Sequence, residues 1–504
     1  MRSLQILGIV LLLSGSAAGR QGSANPAPSQ RLDPTIQEIV SKISQDRIVE
    51  ILKKMESFGT RNTMSDPDQP NRGVGAARQW IFDQFKSYSP RLEVSFDTYT
   101  VPKSGRVFRD VEIKNVMAVL PGKTDPDRWI VIGGHYDSLN LQIPQELRGD
   151  QQKSVEIDAP GVTDNATGTA CTMECARVLS QYEFKATLVF VSFIGEEQGL
   201  LGAGRLAARL KDKNQAVEAV LNNDIIGSDV SGNGTGSNER ILVFSEDPND
   251  SPSRQIARYI RLIGQRYYPE FTADMIFRAD RFGRGGDHTP FNQQGFAAVR
   301  FTAPYENFGN QHSPTDTFAN TSPLLTARVT RLNAATLASM ALAPKPPITV
   351  AAAAPRAAGA QAQAGANPPA GGATQQAQAG AAQQGRGAAQ QGRGAAPQAQ
   401  GGATPQGRGQ GARVGLARGA GYDAVLTWDY PNPEPELAGF IVVVRSTTAP
   451  DWEREIWVGN VKQFTMKNTP IDQLVFGVKS VDINGHESPV SAYYTPPRAA
   501  VSNQ

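Results

Sequence analysis

Cysteine is nearly absent from this chain of 504 residues; two occur, Cys171 and Cys175. So few thiols exclude a disulfide scaffold, and two alone make a poor metal site. They stand four apart in a stretch that reads as helix, too close for easy bridging, and read as small buried side chains. Excess charge is lacking too. The chain has 50 Lys and Arg against 48 Asp and Glu, a formal net charge of +2, so no global field points to nucleic acid or acidic lipid. Histidine is scarce at four, which makes each position informative. Beyond the N-terminus no apolar run approaches a membrane span.

The N-terminus itself, "MRSLQILGIVLLLSGSAAGRQ", has a positive Arg2, an apolar stretch from Ile6 to Leu13 and small residues from Ser16 to Gly19. This is the pattern of a secretory signal peptide over residues 1–19, too short to remain as a spanning helix. No cysteine follows to carry a lipid. The expectation is a secreted or periplasmic protein without a membrane anchor.

Three regions follow. Residues 33–343 have ordinary globular composition. "PTIQEIVSKISQDRIVEILKKMESF" and "VGAARQWIFDQFKSY" carry apolar residues at helical spacing, and "LEVSFDTY", "NVMAVLPG", "RWIVIGG", "TLVFVSFIG", "EAVLNNDIIG" and "AAVRFTA" read as strands. Continuous apolar strands alternating with helices predict an α/β fold with a mixed, mostly parallel central sheet flanked by helices. Residues 344–419 collapse to Ala, Gly, Gln, Pro and Arg, with "AAQQGRG" twice in tandem. Almost nothing there is large and apolar, so a disordered linker is expected. Its "GRG" units read as linker, because an exported protein does not meet nucleic acid. Residues 420–498 show short strand patterns separated by turns, the spacing of a β-sandwich. "LTWDYP", "LAGFIVVVRS" and "FGVKSVDINGHESPVS" resemble a fibronectin type III domain, with Trp428 in its core and His486 solvated in a hairpin turn.

Chemistry gathers where the apolar runs of the first region end. "RWIVIGGHYDS" ends in His135 and Asp137, "TLVFVSFIGEEQG" in Glu196 and Glu197, and "AVLNNDIIG" in Asp224. Asp164 lies before a predicted helix, and His312 in "NQHSPTDT". In a parallel sheet the carboxyl ends of strands share one edge, where ligands bind. Imidazole and carboxylate donors without thiolate suit zinc, with manganese or cobalt as alternatives. Five donors suffice for two metals sharing a carboxylate, a pair that polarises a carbonyl and holds a hydroxide.

"GGHYDS", "PGVTDNATG", "GEEQGLLG", "LNNDIIG" and "HSPTDT", in this order, resemble metallopeptidase family 28, the co-catalytic di-zinc aminopeptidases and their carboxypeptidase relatives. The resemblance covers about residues 45–342. It implies two zinc ions, with Asp164 bridging, His135 and Asp224 completing one site, and Glu197 and His312 the other. It implies Glu196 as the general base that passes a proton from the attacking water to the leaving amine. It gives Asp137 the other imidazole N–H of His135, and implies a cis peptide at Asp164–Asn165. The activity implied is that of a zinc exopeptidase, an aminopeptidase acting on a peptide substrate through a metal-bridging hydroxide.

Other positions carry narrower expectations. Tyr305 and Asn307, near His312, are candidates to contact substrate. His288 in "GGDHTPF" reads as a supporting residue rather than a ligand. "NAT" at 165–167 matches a glycosylation acceptor but falls inside the metal motif. Two alternatives stay open: a carboxypeptidase, dipeptidase or glutaminyl cyclase of the same fold, and a non-catalytic binding or adhesion protein. The C-terminal domain is equally a spacer and a module contacting a polymer or surface.

Overall fold

The computed structural model describes residues 32–349, 415–419 and 422–493. The expected leader and most of the expected linker lie outside the described residues. The first region contains eight strands: β1 (Glu93–Val101), β2 (Val111–Leu120), β3 (Asp125–His135), β4 (Ala186–Phe193), β5 (Ala216–Asn223), β6 (Arg240–Ser245), β7 (Thr272–Ile276) and β8 (Ala298–Thr302). They form one sheet in the order β1-β2-β4-β3-β5-β8-β6-β7. Its centre, β4-β3-β5-β8, is parallel. β1 and β2 add antiparallel at one side, and β6 lies antiparallel to β8 at the other, with β7 parallel to β6. This is the mixed, mostly parallel sheet expected. β6 and β7 are strands that the sequence reading does not anticipate; of β7 only Ala273 is buried, so its apolar signal is weak.

The helices are α1 (Pro34–Ser41), α2 (Gln45–Glu56), α3 (Gly73–Tyr88), α4 (Gln151–Ser154), α5 (Thr167–Leu179), α6 (Leu201–Asp212), α7 (Pro252–Tyr267), α8 (His288–Gln293) and α9 (Pro323–Leu342). Capping residues start several of them. Asp33, Ser44, Ser251 and Ser322 each accept a first-turn backbone N–H, and proline follows three of the four. The sheet is buried on both faces, and strand alternation sorts its residues. Ile130, Ile132, Leu188, Phe190 and Leu221 join a core shared with α1, α2, α3, α5, α7 and α9. Val131, Val189, Val191, Phe193 and Val220 join a second core with α6 and α8. All eight residues of β4 are buried, which explains the unbroken apolar run leading into the paired glutamates. Cys171 and Cys175 are free and buried in α5.

The C-terminal region adds β9 (Leu416–Arg418), β10 (Ala424–Thr427), β11 (Leu437–Ser446), β12 (Arg454–Gly459), β13 (Gln463–Met466), β14 (Leu474–Asp482) and β15 (Ser491–Ala492). They make two antiparallel sheets, β13-β10-β9 and β12-β11-β14-β15. Trp428 is buried between them with Tyr430, Phe440 and Phe476. β9 lies ahead of the boundary expected at residue 420. Residues 345–349, expected to be linker, also reach this region, where Ile348 pairs with Asp429 and Thr349 bonds the Ala492 carbonyl.

The C-terminal region packs on the amino-terminal edge of the large sheet. Lys185, just ahead of β4, pairs with Asp482 at 2.7 Å. In α7, Arg258 bonds the Pro450 carbonyl, Tyr259 the Glu487 carbonyl, and Arg266 pairs with Glu487. His486 departs from expectation. Its hairpin docks against the start of α1, and the ring lies between Asp482 (Nδ1, 3.0 Å) and Asp33 (Nε2, 2.7 Å). It is a docking residue, with 11% of its side chain exposed.

Candidate metal centre

The parallel strands bring the predicted donors to the carboxyl edge. His135 is the last residue of β3, Glu196 and Glu197 follow β4, and Asp224 follows β5. Asp164 lies just before α5, whose N-terminus is pressed onto the strand ends. A Cβ on Gly168 would stand 2.0 Å from the Asn223 carbonyl, and one on Gly134 would stand 2.6 Å from Gly168. Glycine at both places is what permits this approach. Asn165 locks the contact by donating to the Asn223 carbonyl and accepting from the Gly168 N–H. Its buried side chain is unavailable for glycosylation. The Asp164–Asn165 peptide is cis, as the resemblance implies. Ile225 and His312 both adopt positive φ, 58° and 51°, conformations uncommon outside glycine that gather at functional sites.

The donors converge in pairs. His135 Nε2 lies 3.2 Å from Asp164 Oδ1 and 3.8 Å from Asp224 Oδ1. His312 Nε2 lies 3.2 Å from Asp164 Oδ2 and 3.2 Å from Glu197 Oε2. Asp164 thus turns one oxygen to each histidine. Glu196 stands beside them, its ligand-type oxygen within 4.8 Å of those of His135 and Asp224. It is half-buried and faces a cleft of about 310 Å³.

Crowding of carboxylates sets the electrostatics. Burial, reinforced by Asp164, pushes Glu197 up to about 7. Burial and the charges of Glu197, Asp224 and Asp287 push Glu196 well above the usual range. Burial opposes ionisation of Asp224, but Arg300, 3.0 Å away, and His135 outweigh it and bring it to about 2. Despite burial, Asp164 and Glu197 draw His312 up to about 10, and the carboxylates around His135 raise it too. Negative charge dense enough to hold a proton on each imidazole suits a metal ion, which displaces those protons on binding. His135 Nε2 and Glu197 Oε1 are also buried without a hydrogen-bond partner, a costly arrangement unless an ion completes it. The residues fit zinc: imidazole nitrogens and carboxylate oxygens, no thiolate.

Supporting residues hold this arrangement. The Nδ1 of His135 lies 3.1 Å from the Asp137 main-chain carbonyl and 3.5 Å from its carboxylate. That carboxylate mainly accepts the backbone N–H groups of Glu196 (3.4 Å) and Glu197 (3.3 Å) and the Thr63 hydroxyl (3.0 Å). Asp137 therefore ties the end of β3 to the turn carrying both glutamates. Sequence reasoning missed five more residues. Asp316 accepts the N–H groups of Thr163 and Asp164. Gln311 donates to Asp164 Oδ2 at 2.9 Å. Arg61, fully buried, bonds the carbonyls of Tyr136, Pro160 and Gly161, joining the loops that bear His135 and Asp164. Arg300 pairs with Asp224, and an arginine within the apolar run "AAVRFTA" was its readable signal. Asp287 is buried with both oxygens unpartnered and is pushed by burial to about 8.

His288 bonds the Ala279 carbonyl at 2.9 Å, and burial lowers it to about 4; it supports a loop and stands outside the donor pairs. Tyr305 and Asn307 are held through Ser228, which bonds the Tyr305 carbonyl and the Asn307 N–H. Asn307 shares a small recess with Asp164 and Gln311.

A family profile described as "Peptidase family M28" matches residues 115–337. The chain is 32% identical over 499 residues to a probable zinc metalloprotease of Leptosphaeria maculans, covering 93% of this chain and 98% of that protein. It is 30% identical over 492 residues to a probable zinc metalloprotease of Pyrenophora tritici-repentis, covering 91% and 96%. Among solved structures it is similar to the LapA aminopeptidase of Legionella pneumophila, at 20% identity and a TM-score of 0.48, over 63% of this chain and 77% of that one. On the family profile and on relatives matched over nearly their whole length, the chain belongs to peptidase family M28 and is a zinc metallopeptidase.

Proposed function

We propose that the chain is an exported exopeptidase of the aminopeptidase type that uses two zinc ions. The observation that carries the reading is the division of Asp164, one oxygen 3.2 Å from His135 and the other 3.2 Å from His312. A carboxylate so placed suits a bridge, with Asp224 completing the His135 side and Glu197 the His312 side. Zinc held there supplies Lewis-acid polarisation of the scissile carbonyl and a nucleophile at neutral pH. Glu196, facing the cleft, takes the proton of the attacking water and delivers it to the leaving amine. Asp137 fixes the backbone of both glutamates, Asp316 fixes that of Asp164, and Arg300 holds Asp224 in place.

Export rests on the pattern of residues 1–19, and the partner proposed is a peptide. For the C-terminal region a fibronectin type III-like sandwich is supported by sheets of three and four strands around a buried tryptophan. Its place at the edge opposite the donors favours a supporting role over substrate contact. An unbiased peptide library read by mass spectrometry, with and without chelator, tests the reading. Loss of single N-terminal residues, abolished by chelator, is expected; internal cuts or losses from the carboxyl end refute the aminopeptidase type.

A further inference from the structure

The cleft beside the donors is lined by guanidinium groups as well as carboxylates. Arg300 lies at its base, buried, paired with Asp224 at 3.0 Å and Asp280 at 3.4 Å. Asp280 pairs in turn with Arg281 at 3.1 Å. Arg281 holds Glu306 through contacts of 3.0 and 3.2 Å, and Glu306 also faces Arg284 at 3.4 Å. A chain of alternating charge therefore runs outward, Asp224–Arg300–Asp280–Arg281–Glu306–Arg284. Its inner carboxylate belongs to the metal-donor set. Its outer end is short of negative charge, because Arg281 and Arg284 share the single Glu306.

Arg106 enters the same cleft from the loop between β1 and β2. Its one recorded bond donates from a terminal nitrogen to the Glu197 carbonyl at 2.9 Å, and among the described residues no carboxylate pairs with it. A guanidinium presents five donors in a planar fork that matches a carboxylate. Arg106 thus keeps most of its fork free, anchored to the backbone of a donor residue.

We infer that Arg106 and Arg284, the latter held by the Arg281–Glu306 pair, form a subsite for a substrate carboxylate next to the scissile bond. The inference rests on the exopeptidase reading and adds a substrate class: peptides with an acidic group at the bond to be cut. The carboxylate has two sources of the same chemistry, an Asp or Glu side chain and a free carboxyl end.

The test compares kcat/KM on five dipeptides: Ala-Leu-amide, Glu-Leu-amide, Ala-Glu-amide, Ala-Lys-amide and Ala-Leu with a free carboxyl end. At least one acidic member should exceed Ala-Leu-amide by about ten-fold or more at low salt. That advantage should shrink as ionic strength rises, and Ala-Lys-amide should be the poorest substrate. Which acidic member gains identifies the source. Arg106→Gln and Arg284→Gln should each reduce the acidic-to-neutral ratio, and Arg106→Glu should invert the order of Ala-Glu-amide and Ala-Lys-amide. Thermal unfolding of each variant checks that the fold is retained. Hydrolysis without acidic preference, or a preference unchanged in both glutamine variants, overturns the subsite while leaving the exopeptidase reading intact. No hydrolysis of any member, nor of the wider library, overturns both.

Discussion

Two clusters of imidazole and carboxylate lie at opposite edges of one sheet. At the carboxyl edge His135 and His312 meet Asp164, Glu197 and Asp224, with Glu196 and Asp287 close by. Arg300 pairs with Asp224, and His135 Nε2, Glu197 Oε1 and both Asp287 oxygens are left without a hydrogen bond. At the amino edge His486 meets Asp33 and Asp482, and every demand is met. Lys185 pairs with Asp482, the backbone N–H groups of Asn484 and His486 donate to its other oxygen, and Thr35 donates to Asp33. The residue types are alike, and the difference is charge and hydrogen-bond balance. A balanced cluster fastens two regions together; an unbalanced one is completed by ions from outside. The two edges should therefore fail in different ways.

The largest effect is expected at the unbalanced edge. Glu196→Gln should lower kcat by about 10²–10⁴-fold, the usual contribution of a general base, with the unfolding midpoint almost unchanged. Steady-state kinetics beside thermal unfolding checks this.

At the balanced edge the loss should be stability, with turnover of a small peptide retained. His486→Ala removes hydrogen bonds to two carboxylates and should cost about 2 kcal/mol at about pH 6. The pH dependence follows from sign. Burial pushes His486 down, but Asp482 and Asp33 outweigh it and leave it above its ordinary value. Its contribution is complete below the unfolded value, about 6.5, and is lost as pH rises through the raised folded value. Asp33 and Asp482 are lowered, Asp482 to about 2, so their contribution holds above the ordinary carboxylate range and fades only in acid. Denaturant unfolding of wild type and variant at several pH values should show the gap widest near pH 6 and narrower at high pH. The smallest effect is expected from Glu183→Gln, at the same edge. Its partner Lys123 is 2.7 Å away, but both side chains are about two-thirds exposed, so solvent screens the pair and the denaturation midpoint should be almost unchanged.

The convergence of His135, Asp164, Glu196, Glu197, Asp224 and His312 was legible in the sequence because each closes a recognisable apolar run or sits in a short motif, and a parallel sheet sends those ends to one edge. The groups that hold the donors were harder to read. Asp316 and Asp287 lie inside quoted motifs, yet nothing local says that one accepts the Asp164 N–H and the other stays unpaired. Arg61 precedes by many residues the loops that it ties together. His486 looked like a solvated turn because its partner, Asp33, is 453 positions away. β6 and β7 were missed because strands of six and five residues, the second of them at the sheet's edge, are too short to show apolar periodicity. Docking and supporting contacts are tertiary facts, whereas donor placement follows from strand ends.

The most direct test is zinc content per chain after dialysis, measured by elemental analysis for wild type, Glu196→Gln and Glu197→Ala side by side. The account predicts two ions in wild type, two in Glu196→Gln, and one or fewer in Glu197→Ala. A Glu197→Ala protein that keeps both ions, or a Glu196→Gln protein that loses one, would contradict the division of roles between these neighbouring glutamates.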